Sequence, residues 1–137
     1  MTLSEKLVEL RIATRGATMC ETACGKNKNT LSLKTKILFL LRNKSLQPID
    51  LLTSLKLAKA NLALLTTEMA KEGLIQKDKQ NYDKRVVAFS ITDRGREYLE
   101  TRLSVIENSL KKAFPTAEEY DSAAKALDAA TDVLSFL

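Results

Sequence analysis

The sequence predicts a mainly α-helical chain with one small β-hairpin, in the order ααααββαα. Three observations carry that expectation. Apolar residues recur at spacings of three and four over most of the length. Strand-like alternation stands out at Val87, Phe89 and Ile91, after the turn-formers Asn81, Tyr82 and Asp83. Gly or Pro punctuates the segment ends, at Gly25, Pro48, Gly73 and Pro115. At 137 residues the chain fits one domain with a sizeable core, so 1–137 is read as a single unit.

Each element has its own reason. Leu3, Leu7, Leu10, Ala13, Ala17, Cys20 and Cys24 share one helical face, which predicts a long amphipathic helix over 3–24 closed by Gly25. Leu33 to Leu41 form a short, very apolar helix, expected to be buried nearly all round. Pro48 suits the first turn of a third helix, with Asp50 near its positive end; that helix stops near Lys56. A tight turn through Leu57 and Ala58 leads into a fourth helix, Lys59 to Glu72, burying Leu62, Leu65 and Met69. Gly73 is expected to take a left-handed cap. Strands follow at 74–79 and 84–91, with Val87, Phe89 and Ile91 inward. Thr92 caps a fifth helix that ends at Phe114-Pro115, with a seam of Leu99, Leu103, Ile106 and Leu110. A last helix runs from about Thr116 to the C-terminus.

Composition narrows the function classes. The chain is 28% charged and 45% hydrophobic, a globular balance, and its longest pure apolar run, Ile37 to Leu41, is far too short to span a bilayer. "MTLSEKLVEL" carries acids in an amphipathic pattern and reads as neither a signal nor a transit peptide. Two cysteines in C-x3-C make no disulfide framework, and a cytoplasmic protein is expected. With no His, imidazole catalysis and His-metal sites are excluded; there is no P-loop or G-x-G-x-x-G, and Glu118-Glu119 read as charges favourable to a helix start. No enzyme, metal or cofactor is expected. Residues 26–85 hold 13 Lys/Arg against 5 Asp/Glu, hence +8, and the remainder is −3. A basic centre between acidic ends suggests a polyanion partner there and another task for the ends.

Two short helices joined by a tight turn, then a basic hairpin, describe a winged helix-turn-helix over roughly 31–91. Three blocks resemble the MarR regulators (multiple-antibiotic-resistance repressors). "DLLTSLKLAKANLALLTTEMAKEGLI", from Asp50 to Ile75, is similar without gaps to their helix, turn, recognition helix and Leu-x-x-x-Gly-Leu-Val-like exit. "YDKR" stands where their wing carries Asp-x-Arg, and "SITDRG" is similar to their Leu-Thr-x-x-Gly. The resemblance covers essentially the whole chain. It departs at Ala58, where relatives offer a Ser or Thr cap, and at Leu64, where they often carry a basic or polar residue.

The resemblance implies a dimeric, sequence-specific DNA-binding transcription regulator, a repressor released by a small aromatic or anionic effector. A winged-helix module for protein assembly, with little or no DNA binding, is the alternative. In a helix-turn-helix the second helix enters the major groove, which assigns base contacts to Lys59, Ala60, Asn61, Leu64 and Thr67, with Ala63 on the same surface. Asn pairs with adenine and Ala or Leu touches thymine methyls, but no Arg is there to grip guanine. Lys34, Lys36, Lys56, Lys77, Lys79, Lys84 and Arg85 are assigned to phosphates, with Arg85 at the minor groove and Asp83 holding the wing.

The ends, about 1–25 and 92–137, are expected to form the homodimer through Leu3, Leu7, Leu10, Tyr120, Leu127, Val133, Leu134 and Leu137. Two reading heads then predict an inverted-repeat operator on double-stranded DNA. For sensing, Arg11 and Arg15 are candidates to meet an anion, with surface salt bridges the commoner role. Cys20 and Cys24 are candidates for redox sensing, with inert burial the commoner fate.

Overall fold

The computed structural model describes residues 2–10, 32–80 and 83–135, and of residues 79, 80 and 83–86 only the backbone. Residues 3–10 are helical (α1). The rest of the expected first helix, with Arg11, Arg15, Cys20, Cys24 and Gly25, lies outside the described residues, as does Leu137. Thr2 and Glu5 start α1 reciprocally: the Thr2 amide donates to the Glu5 carboxylate at 2.7 Å and the Glu5 amide to the Thr2 hydroxyl at 3.3 Å.

The helices α2 (Leu33–Leu41), α3 (Pro48–Leu55) and α4 (Lys59–Lys71) follow. Next come the strands β1 (Ile75–Gln80) and β2 (Asp83–Ile91), then α5 (Asp93–Ala113) and α6 (Ala117–Ser135). The strands are antiparallel, in register from Ile75 opposite Ile91 to Lys79 opposite Val87, with an irregularity between Lys79 and Gln80. Leu46 adds a single bridge to the other edge of β2, exchanging both backbone hydrogen bonds with Phe89 at 2.8 and 3.1 Å. The chain divides into two compact units, Met1–Arg102 and Leu103–Leu137.

The first unit has a closed core. Ile37, Leu38 and Leu41 of α2 are essentially inaccessible, as are Leu51 of α3, Met69 of α4 and Leu99 of α5. Leu62, Leu74, Ile75, Ala88 and Phe89 complete the buried apolar set. Capping explains the helix starts. Ser32 accepts from the Thr35 amide at 3.2 Å, and the Asp50 carboxylate accepts from the Gln47 amide at 3.0 Å beneath Pro48. Thr92 fastens three segments together. Its hydroxyl accepts from the Gly95 amide at 3.0 Å and donates towards the carbonyls of Gly73 and Leu74 at 2.6 and 3.0 Å. Gly95 is required there, because a Cβ would stand 2.1 Å from the Leu74 carbonyl oxygen. Gly73 takes the expected left-handed conformation at φ 78.

Three packing expectations are corrected. The helix α2 is not buried all round: Phe39 is 49% exposed, with the Arg42 guanidinium 4.7 Å above its ring. Helix α2 is covered on one face only, and Thr35, not an apolar residue, fills part of that face. On α4, Thr66 is buried and Leu65 only half-buried, because the Thr66 hydroxyl returns its proton to the Leu62 carbonyl at 2.8 Å and needs no water. On β2, Ala88 and Phe89 are both buried, whereas Val87 and Ile91 are half-buried. Both α2 and α3 adjoin β2, and Ala88 on the opposite side of the strand from Val87 is only 4% exposed.

The second unit is built differently. Thr116 caps α6 by accepting from the Glu119 amide at 3.1 Å. The Tyr120 hydroxyl donates to the Glu107 carboxylate, which raises the phenol's pKa. No residue of α6 is buried, and Leu110, Phe114, Leu127 and Val133 are exposed.

Candidate nucleic-acid interface

The helix-turn-helix geometry is set by one residue. Lys56 ends α3 in the left-handed region, φ 53 and ψ 46, and its amide donates to the Leu52 carbonyl at 2.8 Å. Leu57 and Ala58 then extend into α4, whose first intrahelical bond runs from the Leu62 amide to the Ala58 carbonyl at 3.1 Å. Ala58 supplies no side-chain cap, so the early amides of α4 have no partner from that position.

Helix α4 is divided lengthwise. Leu62, Thr66 and Met69 face the core, and Lys59, Ala60, Asn61, Ala63, Leu64 and Thr67 lie on the solvent side. Leu64 is 73% exposed, a large apolar side chain in the middle of that surface. The Thr67 hydroxyl donates to the Ala63 carbonyl at 2.7 Å. Alongside runs a groove of about 520 Å³ between α3, α4 and the hairpin, bordered by Ile49, Leu52, Lys59, Thr67, Lys77 and Val87. Lys56, Lys59 and Lys77 are all exposed. Lys79, Asp83, Lys84 and Arg85 belong to the strands of the hairpin, and their side chains lie outside the described residues.

Lys34 does not join this surface. Its ammonium sits 2.7 Å from the Glu72 carboxylate and 3.7 Å from that of Glu68, at the C-terminal end of α4. At 1.5 Å per residue that end is roughly 20 Å along the helix from Lys59. Burial lowers the Lys34 pKa, but the hydrogen bond and charge of Glu72, with Glu68 and Tyr98, reverse this and hold it above the ordinary 10.5. Lys34 therefore ties α2 to α4, so its ammonium is already paired where a phosphate contact was expected; Lys36, on the same helix, is half-buried. The acids of α4 stand one turn apart at 68 and 72, a spacing visible in the sequence, but the α2 residue they meet is 38 positions from Glu72.

The expected dimer residues fall in both units. In the first, Leu3 is 69% exposed and Leu7 and Leu10 are half-buried. In the second, Leu127 is 65% and Val133 37% exposed, with Tyr120 and Leu134 half-buried.

No family model and no curated protein matches the sequence. Solved structures do. The chain is similar over 100% of both lengths to the transcriptional regulator BldR from Sulfolobus solfataricus, at TM-score 0.69 and 18% identity. It is similar to wild-type MarR from E. coli in its apo form at TM-score 0.65 and 18% identity, over 93% of this chain and 95% of that one. A mutant MepR from S. aureus bound to an oligodeoxyribonucleotide aligns at TM-score 0.56 and 15% identity, over 98% and 99% of the two chains. The fold is that of the MarR-type winged-helix regulators.

Proposed function

We propose that the protein is a dimeric, sequence-specific DNA-binding transcription regulator, a repressor released by a small aromatic or anionic molecule. The observation that carries this is the lengthwise division of α4: one face is sealed in the core, and the other is solvent-exposed with Lys56 and Lys59 at its N-terminal end and Lys77 beside it. A helix offered in this way fits the major groove, and lysines around it fit phosphates. The regulator folds it shares, one of them bound to an oligodeoxyribonucleotide, support the same reading. Exposed leucines at positions 3 and 127 are surfaces for a second copy, which would set two heads about 34 Å or a multiple apart on an inverted repeat.

The wing tests the proposal. Arg85→Ala is expected to leave thermal stability within about 0.5 kcal/mol. It is expected to weaken binding to selected duplexes and lower the salt slope by about one phosphate contact. Titrations at several salt concentrations read both quantities. The exposure of Leu64 also suits a protein-assembly module. That reading takes over if affinity for every duplex is absent or insensitive to salt.

A further inference from the structure

The surface of α4 offers unusually little hydrogen-bonding chemistry for a helix that reads DNA. Glu68, which could accept from cytosine, has Lys34 3.7 Å away. The Thr67 hydroxyl commits its proton to the Ala63 carbonyl at 2.7 Å, so towards a base it can only accept, beside its methyl. Asn61 alone between Ala60 and Thr67 carries a side-chain amide able to pair bidentately with a base. At the centre of the face stands Leu64, 73% exposed, with Ala60 one turn before it and Thr67 one turn after.

Resting on the regulator reading above, we infer that α4 selects its half-site through the C5-methyl groups of thymine, and that Leu64 is the residue that reads them. In the major groove, a methyl at C5 distinguishes thymine from cytosine. Against that methyl Leu64 buries apolar surface, with an expected gain of about fourfold in affinity, the worth of one buried CH₂ group. Against a guanine the same side chain strips water from the N7 and O6 acceptors and returns no hydrogen bond, so the selection has a repulsive side too. The lysines at positions 56, 59 and 77 around this apolar strip make a duplex the fitting occupant, since an apolar protein partner gains nothing from a cationic border.

The test uses the full chain and a duplex selected from a random pool. Each thymine of the half-site is replaced in turn by deoxyuridine, which deletes only the methyl, and each duplex is titrated with the parent and with Leu64→Ala. The variant keeps the fold, because the side chain is exposed and alanine is the better helix former. At the thymine that Leu64 touches, deoxyuridine is expected to weaken the parent about fourfold and the variant not at all, so that the two proteins bind the uracil duplex alike. Replacing that T·A pair by 5-methylcytosine·G is expected to bind the parent more tightly than cytosine·G by a similar factor. Equal losses for parent and variant would assign the effect to duplex stiffness and overturn the inference, as would no loss at any thymine. If no duplex binds, the regulator reading itself falls, and this inference with it.

Discussion

The two units of this chain use similar residues to opposite ends. In the first, up to Arg102, leucines and isoleucines of α2, α3, α4 and α5 close over one another, and Ile37, Leu38 and Leu51 are fully inaccessible. In the second, from Leu103, no residue of α6 is buried and Leu127 keeps 65% of its surface. The difference is one of completeness. In the first unit α3 packs on α4 and β2, α2 on β2, and α4 on β1. A helical pair has no third layer of its own, and the proposed function assigns its apolar stripe to a second copy. Stability should therefore be an intramolecular property of the first unit and a concentration-dependent property of the second.

The largest expected effect probes the closed side. Leu38→Ala removes a fully buried side chain and is expected to cost about 2–5 kcal/mol in chemical denaturation. A cost below about 1 kcal/mol would mean that the first unit is not the cohesive one. The next effect probes the open side. Leu127→Asp is expected to leave secondary structure intact while raising the dissociation constant of a dimer at least tenfold, about 1.4 kcal/mol, by sedimentation or light scattering. Unchanged self-association would take α6 out of the interface. The smallest effect probes the ion pair within the first unit. The raised pKa of Lys34 means that its contribution is fully present below the ordinary 10.5 and is lost as pH climbs through the higher folded value. Stability should thus fall more steeply above pH 10.5 in the parent than in Lys34→Met, by less than about 1 kcal/mol because Glu68 and Glu72 are partly solvated. Parallel pH profiles would show the pair to be neutral.

Much of this architecture was legible because its signals are local. The stop at Lys56, the left-handed Gly73 and the Thr92 cap each follow from a residue type at a turn or helix end. The two faces of α4 follow from the i, i+4 and i+7 spacing of Leu62, Thr66 and Met69, although Thr66 was hidden by its polarity. What did not show is tertiary. The pairing of Lys34 with Glu72 joins residues far apart in sequence, and a lysine near a basic region looks like any other. Phe39 is apolar by type, yet only the packing of α2 decides that it faces water under Arg42. The alternation of β2 predicted one inward side, and only the tertiary fold buries the neighbours Ala88 and Phe89 together.

Lys56 carries one more consequence, for how this protein can change over generations. A residue with a Cβ sits in the left-handed region at a cost of about 1–2 kcal/mol that glycine avoids. Replacing Lys56 by glycine is thus an easy route to a more stable turn, since the backbone at φ 53 needs no rearrangement. The same substitution deletes a cation at the N-terminal approach to α4, where the proposed function has it meet a phosphate. Fold stability and grip on DNA are expected to move in opposite directions at this single codon. Selection for heat tolerance alone would favour glycine there, whereas under the proposed function selection for binding would favour the strained lysine.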